Sequence, residues 1–466
     1  MSNFVAAVDL GASSGRVCLG WIEDGALKLE EIYRFAHEVI ETDGKLNWQW
    51  DHIVENVIKG LNEAQSRGNL AAIGVDFWAV DYGLLDKERN LISTPRAYRD
   101  PRSDKYFEKI PKDLTPEYIY SRTGIQFLFF NTLYQLASEF EEGNLKAADK
   151  FLMLPDLLNY ILCGSETNEV TNASSTQLLN AFTRDWDWEL IERLGLPKSV
   201  FPGLHQPGQL LGKVKGFGAL DGTPVIAVGS HDTASAVAGT PLDESGTSAY
   251  ISSGTWSLVG LELPEANTSE KTFKSNITNE LGVADRVRFI KNVSGLWMIE
   301  ESIRYWRKQG NNLKITELVA EASKLERGKA LFDARDPKFT KSGPMPEWIQ
   351  AEFKNQGGFV PQTPAEIALA IFESLAVAYR EVINELQEAA GIKVSRINIV
   401  GGGSANELLN QLTADATGLR VISGPTEATA LGNLIVQLMA LGEIKDLAEG
   451  RRLIAKSFSQ KEFSPK

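Results

Sequence analysis

Early in the chain, apolar residues come in short runs separated by polar turns; helical spacing follows. Phe4–Leu10 is a short apolar run rich in β-formers, Gly11–Arg16 is a glycine-bearing polar stretch, and Val17–Trp21 is a second apolar run. Strand, turn and strand predict a hairpin. Leu27–Phe35 alternates well enough to continue the meander. Ile53, Val57, Ile58 and Leu61 recur at the spacing of one helix face, and Ala71–Val75 reads as a buried strand ending on Asp76. Meander, helix and strand in that order predict an α/β domain.

The second half opens in the same way. Ser248–Ile251 predicts a strand, Ser252–Thr255 a polar turn, and Trp256–Leu261 the returning strand. Gly11 and Gly254 stand about half of the 466 residues apart, the spacing expected if one domain type were duplicated, although two hairpins also match by chance. Pro364–Ala389 carries a long helical pattern through Ile367, Ile371, Leu375, Val382 and Leu386. It is followed by a buried strand, Ile397–Val400, that runs into Gly401-Gly402-Gly403. Thr240–Gly246 has turn chemistry and little apolar content, which places a domain boundary there; Ser342–Pro346 predicts a further loop.

Length agrees with two domains, since single cores stop growing well below 466 residues. The formal net charge of -13 opposes general nucleic-acid binding, so an anionic ligand needs local backbone amides, an arginine or a metal ion. Cys18 and Cys163, with His37, His52, His205 and His231, form no metal-ligand spacing and predict reduced, buried thiols. The start of the chain has no basic leader, and no apolar run reaches the roughly 18–20 residues of a spanning helix. The expectation is a cytoplasmic protein with no membrane and no nucleic-acid partner, a monomer or small homo-oligomer.

Three turns have the inventory of a phosphate site. Gly11–Arg16 offers two glycines, two serines and a guanidinium that can fork onto phosphate oxygens, and Asp9 just before it is placed to hold Mg²⁺ through water. Ser252–Thr255 repeats the hydroxyls. Gly401–Asn406 follows a buried strand, and three consecutive glycines suggest close backbone approach to a ligand. Each turn alone also reads as an ordinary bend. None is a P-loop or a dinucleotide fingerprint.

The candidate acid is Asp232. A buried strand, Val225–Ser230, delivers His231-Asp232-Thr233 to a helix of small residues, Ala234–Ala238. An Asp at that junction is either a helix N-cap or a general base facing a sugar hydroxyl. Asp76–Gly83 adds carboxylates and aromatic planes that suit a sugar, or Phe77 and Trp78 are simply core.

Asp9–Arg16, Gly229–Val237, Ile251–Trp256 and Ile399–Gly403 together resemble the FGGY family of carbohydrate kinases. Ala97–Asp100, Gly124–Leu128, Asn131–Leu136, Leu152–Asp156, Asn276–Glu280, Lys291-Asn292 and Gly295–Trp297 resemble one subgroup, whose acceptor is the ketose L-rhamnulose, phosphorylated at O1. The resemblance spans Val5 to about Leu441. It implies an α/β fold of two actin-like ATPase (ribonuclease H-like) domains. Residues 1–240 would carry the sugar site, the first phosphate turn and the catalytic Asp; residues 241–466 would carry the nucleotide site. A catalytic cleft would lie between the two domains and close on the substrates. It also implies ATP with Mg²⁺. Ala12, Ser13, Ser14, Gly15, Arg16 and Thr255 would hold phosphates, and Glu300 and Gly402 would lie along the adenosine. Ala79, His231, Asp232, Thr233 and Asn292 would line the ketose site, with Asp232 as base.

Ala79 stands where the subgroup commonly has glycine, and Glu300 where it has glutamine, which keeps L-fuculose and L-ribulose open as acceptors. The lysine-bearing signature of other branches is absent around Thr132–Leu136, against xylulose or glycerol. An actin-like chaperone or assembly protein is the rival from another class. It would leave His231-Asp232-Thr233 unexplained, and no β-rich appended domain follows Gly403.

Overall fold

The computed structural model describes residues 4–107, 110 and 114–466. The chain forms two compact units. The first contains the residues up to Pro241 together with Glu262–Phe289 and Ala428–Ser457; the second contains Leu242–Leu261, Ile290–Glu427 and Phe458–Lys466.

The first unit is built on a sheet of strands β1 (Phe4–Gly11), β2 (Ser14–Glu23), β3 (Ala26–Ala36), β4 (Leu70–Phe77), β5 (Leu210–Lys213) and β6 (Pro224–Ile226), in the order β5-β6-β4-β1-β2-β3. The meander β1–β3 is antiparallel, and β4 lies parallel to β1 after the helix α1 (Trp50–Arg67). Val5–Leu10 is buried throughout, as a strand covered on both faces must be, which explains its unbroken apolar run. α1 packs on one face, where a Cβ at Gly60 would meet Val17 at 2.6 Å. Regular pairing in the expected strand Val225–Ser230 ends at Ile226. The chain beyond it stays beside β4, because Phe77 N donates to Ser230 O at 2.9 Å, and it then enters α2 (Asp232–Ala238).

The second unit repeats the device. β7 (Ser248–Ser253) and β8 (Ser257–Leu263) form an antiparallel hairpin, and after α3 (Trp297–Lys308) and α4 (Pro364–Ala390), β9 (Arg396–Val400) pairs parallel to β7. β10 (Arg420–Ser423) and β11 (Lys461–Phe463) extend the sheet in the order β8-β7-β9-β10-β11. α4 starts at a capping box: Glu366 N donates to Thr363 Oγ1, and Thr363 N to the Glu366 carboxylate. The loop expected at Ser342–Pro346 is shorter, since a helix begins at Met345 with Pro346 in its first turn, where proline costs no hydrogen bond.

A single division at 240/241 differs from these units in two segments, residues 262–289 and 428–457. The physical reason for the second is α5 (Ala428–Ala440) and α6 (Leu447–Ser457). Gly20, on the opposite parity of β2 from Val17, has no room for a Cβ because Leu434 fills it at 2.5 Å, so α5 covers the sheet face that α1 leaves. Gln437 Nε2 donates to Ala6 O at 3.0 Å, and Arg451 of α6 ion-pairs Glu262 at 2.8 Å. The segment 262–289 is tied in by Tyr120, whose hydroxyl donates to Ile277 O at 2.5 Å. Cys18 is buried as expected, whereas Cys163 is half-buried; both are free thiols. Among the described residues, no helix is long and apolar enough to cross a membrane.

α5 and α2 touch backbone to backbone: a Cβ at Gly432 would lie 1.7 Å from Ser235 O, and one at Gly239 2.0 Å from Ala428 O. Gly432→Ala gains up to about 1 kcal/mol of helix propensity, but overpacking of about 1–3 kcal/mol or more outweighs it. We expect a lower urea midpoint for Gly432→Ala. Gly402→Ala, with nothing within 4 Å of the new methyl group, should shift the midpoint little.

Candidate active site

The ends of β1, β2 and β4 bring charge together on the sheet face that α5 covers. Asp9 pairs in register with Arg16 on β2 and with Asp76 on β4. Arg16 Nε and Nη2 both donate to Asp9 Oδ2, at 2.9 and 2.6 Å. The guanidinium expected to fork onto phosphate spends two of its nitrogens, Nε and Nη2, on the aspartate here. Asp76 is fully buried and accepts from Asn433 Nδ2 at 2.6 Å, while its Oδ1 has no hydrogen-bond partner among the described residues. Burial first, then the negative charges of Asp9 and Asp232, push the Asp76 carboxyl well above its usual range.

Between β1 and β2 the turn is short, with Gly11 paired to Ser14 and Ala12 and Ser13 exposed at the tip. His37 braces it, its Nε2 lying 2.8 Å from Gly11 O; since a carbonyl only accepts, the proton of that ring sits on Nε2. A Cβ at Gly11 would make only ordinary contact, with Ser14 O at 3.8 Å, but Gly15 is required by packing, because a Cβ there would meet Phe35 at 2.5 Å.

Asp232 is placed by main chain. Glu169, itself fully buried, accepts from Ser230 N at 3.0 Å and Ser230 Oγ at 2.8 Å, and so holds the segment that leads into α2. The N-cap of α2 is His231, without a side-chain cap bond, and Asp232 is the first helical residue. The capping reading of Asp232 therefore falls away. Its Oδ1 accepts from Thr233 Oγ1 at 3.0 Å and lies 3.4 Å from His231 Nε2. The side chain is 30% exposed yet ringed by protein. Desolvation raises its pKa, Asp9 adds to the rise, and His231 opposes it. A carboxylate made more basic and still reachable is suited to taking a proton.

Phe77 and Trp78 are buried, 0% and 5% exposed, so they are core and not an open sugar platform. The Trp48 and Trp78 rings lie 4.3 Å apart, tilted by 45°, and both indole N–H groups donate to Asp81 Oδ2, at 2.6 and 3.0 Å. Burial pushes the Asp81 carboxyl up to about 6 against those donors. Ala79, half-buried, lies between Trp78 and Val80, and Val80 holds a φ of +69°, strained for a β-branched residue. Thr132 Oγ1 and Gln135 Nε2 clamp the Val80 carbonyl at 2.7 and 3.2 Å.

In the second unit, Thr255 is exposed at the tip of the β7–β8 turn, and its hydroxyl donates to Glu300 Oε2 at 3.3 Å. The first turn of α3 is fastened to that tip: Leu296 N donates to Gly254 O at 3.0 Å and Trp297 N to Thr255 O at 2.9 Å. Of the three glycines after β9, two are explained by packing, since a Cβ at Gly403 would strike Ser253 Oγ at 2.0 Å and one at Gly401 would meet Ser253 O at 2.8 Å. Gly402 alone faces open space. Asn292 lies near the end of the strand Val287–Val293, half-buried.

Residues 4–239 match the FGGY family of carbohydrate kinases, N-terminal domain, and residues 249–441 match the C-terminal domain of that family. The chain belongs to the FGGY family of carbohydrate kinases. A curated rhamnulokinase of Oceanobacillus iheyensis is 42% identical over 461 residues, covering 97% of this chain and 96% of the relative. That of Bacillus subtilis is 39% identical over 465 residues, covering 99% and 95%. The fold matches the xylulose kinase of Lactobacillus acidophilus with a TM-score of 0.82 at 16% identity, over 100% of this chain and 94% of the other. It also matches the glycerol kinase of Plasmodium falciparum with ADP at 0.79 and 16%, over 100% and 94%.

An FGGY kinase transfers phosphoryl groups to a carbohydrate hydroxyl with ATP as co-substrate. The donor set at the strand ends fits Mg²⁺. Asp9 and Asp76 offer hard oxygens, Asp76 Oδ1 is a buried acceptor without a donor, and Mg²⁺ is commonly held by one or two carboxylates with water and phosphate completing its shell. Among the described residues, no group of three or more acidic, histidine or cysteine side chains is placed to hold a metal ion, so protein would supply at most the two carboxylates.

Asp76→Asn tests the electrostatics. A carboxyl whose pKa rises on folding binds its proton more tightly in the folded state, so its contribution to stability is lost as pH rises from the usual carboxylate value toward the raised one. The urea midpoint of Asp76→Asn relative to the native protein should therefore climb as pH rises above about 4. A difference that does not change with pH would contradict the assignment.

Proposed function

We propose that the chain is a rhamnulokinase, which phosphorylates L-rhamnulose at O1 with ATP to give L-rhamnulose 1-phosphate and ADP in L-rhamnose breakdown. The observation that carries the substrate is near-full-length similarity at 42% identity to a protein of that name. An enzyme that draws on ATP and a monosaccharide works in the cytoplasm, where both are present.

In this reading, Ala12, Ser13, Ser14, Gly15, Arg16 and Thr255 hold the phosphates of ATP, and Glu300 and Gly402 lie along the adenosine. The exposed turn residues Ala12, Ser13 and Thr255 and the open backbone at Gly402 support those roles. Asp9 and Asp76 would hold Mg²⁺, which would supply positive charge to neutralise phosphate oxygens. Ala79, His231, Thr233 and Asn292 orient the ketose. Asp232 takes the proton of the O1 hydroxyl while O1 bonds to the γ-phosphorus and the bond to the ADP oxygen breaks. Positioning and charge stabilisation supply most of the rate in such a transfer.

General-base help is worth about 10²–10⁴-fold. Asp232→Asn should cut kcat by at least about 100-fold with ATP affinity unchanged by calorimetry, and near-native turnover would remove Asp232 from the role. A coupled ADP assay should give the highest kcat/KM for L-rhamnulose. A higher value for L-fuculose or L-ribulose would replace the substrate and keep the kinase.

A further inference from the structure

The base does not stand alone: behind His231 lies a buried cation–anion pair that the transfer itself does not use. Arg288, in the strand Val287–Val293, has 0% exposure. Its Nε donates to Leu281 O at 3.0 Å, and its Nη2 to Thr171 O at 3.4 Å and to His231 Nδ1 at 3.1 Å. Glu280 Oε2 lies 3.1 Å from both Arg288 Nη2 and His231 Nδ1, yet it makes no hydrogen bond among the described residues. It balances the guanidinium charge without lying along an N–H direction.

We propose that Arg288 fixes His231 as its Nε2–H tautomer, and that this N–H, facing Asp232 Oδ1 at 3.4 Å beside the Thr233 hydroxyl bonded to that oxygen, leaves Oδ2 as the oxygen that receives the sugar's proton. The assignment rests on reading Asp232 as the base. A guanidinium is always protonated and has no acceptor, so the nitrogen facing it must offer a lone pair. Nδ1 is that nitrogen, and a neutral ring then carries its hydrogen on Nε2. If the ring gained a second proton, at Nδ1 toward Glu280, Nε2 would still carry one. The neutral Nδ1–H form alone would strip Nε2, and it would set an N–H against the guanidinium.

Nε2 is 3.4 Å from Asp232 Oδ1, which also accepts from Thr233 Oγ1. The Thr233 hydroxyl on that oxygen, with the ring N–H facing it, lowers its basicity and keeps the carboxylate from rotating. The proton of the acceptor hydroxyl therefore goes to the other oxygen. Arg288 is a positioning residue in this scheme, because it acts through His231.

The chain has four histidines, which makes the test direct. In protein labelled with ¹⁵N-histidine, long-range ¹H–¹⁵N correlation reports which ring nitrogen is protonated, and the signals lost in His231→Gln assign the ring. We expect Nε2 of His231 to be protonated. A neutral Nδ1–H ring would overturn the proposal, whatever the enzyme's turnover. In Arg288→Met, Nδ1 is released. The proposal expects a mixture of tautomers and a fall in kcat of about tenfold with the ketose KM changed less than about twofold, restored in large part by Arg288→Lys. A folded Arg288→Met with unchanged tautomer and kcat would refute it. If that variant fails to fold, by the other three histidine signals, the native spectrum decides. Loss of the base reading through an active Asp232→Asn would leave the tautomer result standing, so the two failures are distinguishable.

Discussion

Strand register in the first unit is the constraint on which the site depends. Asp9 pairs with Arg16 on one side and with Asp76 on the other, and the chain at Ser230 is hydrogen-bonded beside Phe77. Side chains alternate faces along a strand, so a slip of one residue would turn Asp9 or Asp76 toward α1 and scatter the carboxylates. The apolar positions hold the register: Val8 and Val17 face the α1 side, while α5 covers the other face through Leu434. Packing over the whole sheet thereby sets the position of the acids beyond and at the C-terminal ends of its central strands.

Gathering acids in this way is unfavourable, and the neighbours show how it is tolerated. Asp9 has a guanidinium on one oxygen; Asp76 has an amide from Asn433 on one oxygen and, among the described residues, no hydrogen-bond partner on the other; Asp232 keeps a partial opening to solvent. Desolvation and mutual repulsion raise Asp76 and Asp232 together. The same field that weakens the fold raises the basicity of Asp232, and one oxygen of Asp76 has no hydrogen-bond partner among the described residues. Stability is given up at the site, and the sheet and its two covering layers offset it.

Much of this was legible in the sequence where one local pattern dictates one local structure. The meander, the repeated hairpin, the helix over 364–390 and the strand before the glycines follow from periodicity and turn chemistry. The chemistry was legible less evenly. Asp232 stood out because a carboxylate at a strand-to-helix junction is conspicuous, but only the structure separates N1 from N-cap. The glycine run pointed to a ligand, whereas Gly401 and Gly403 are there for Ser253, a residue remote in sequence. Arg16 had a visible charge and an invisible partner. Glu169, Arg288 and Asn433 gave no local signal, and Glu280 marked only a resemblance; their roles arise from contacts between distant segments. The return of α5 to the first unit escaped for the same reason, since helix spacing reports an apolar face and not what covers it.

The central claim is that the ionised carboxylate of Asp232 takes the acceptor's proton. The pH dependence of kcat/KM for the ketose, at saturating ATP, tests it most directly when the native enzyme is compared with Asp232→Asn. The account predicts that the native value falls tenfold per unit of pH on the acid side, with a midpoint above the ordinary 3.8 of an aspartate, and that the variant's residual rate lacks this limb. A native profile flat down to about pH 4, or the same limb persisting in the variant, would contradict it.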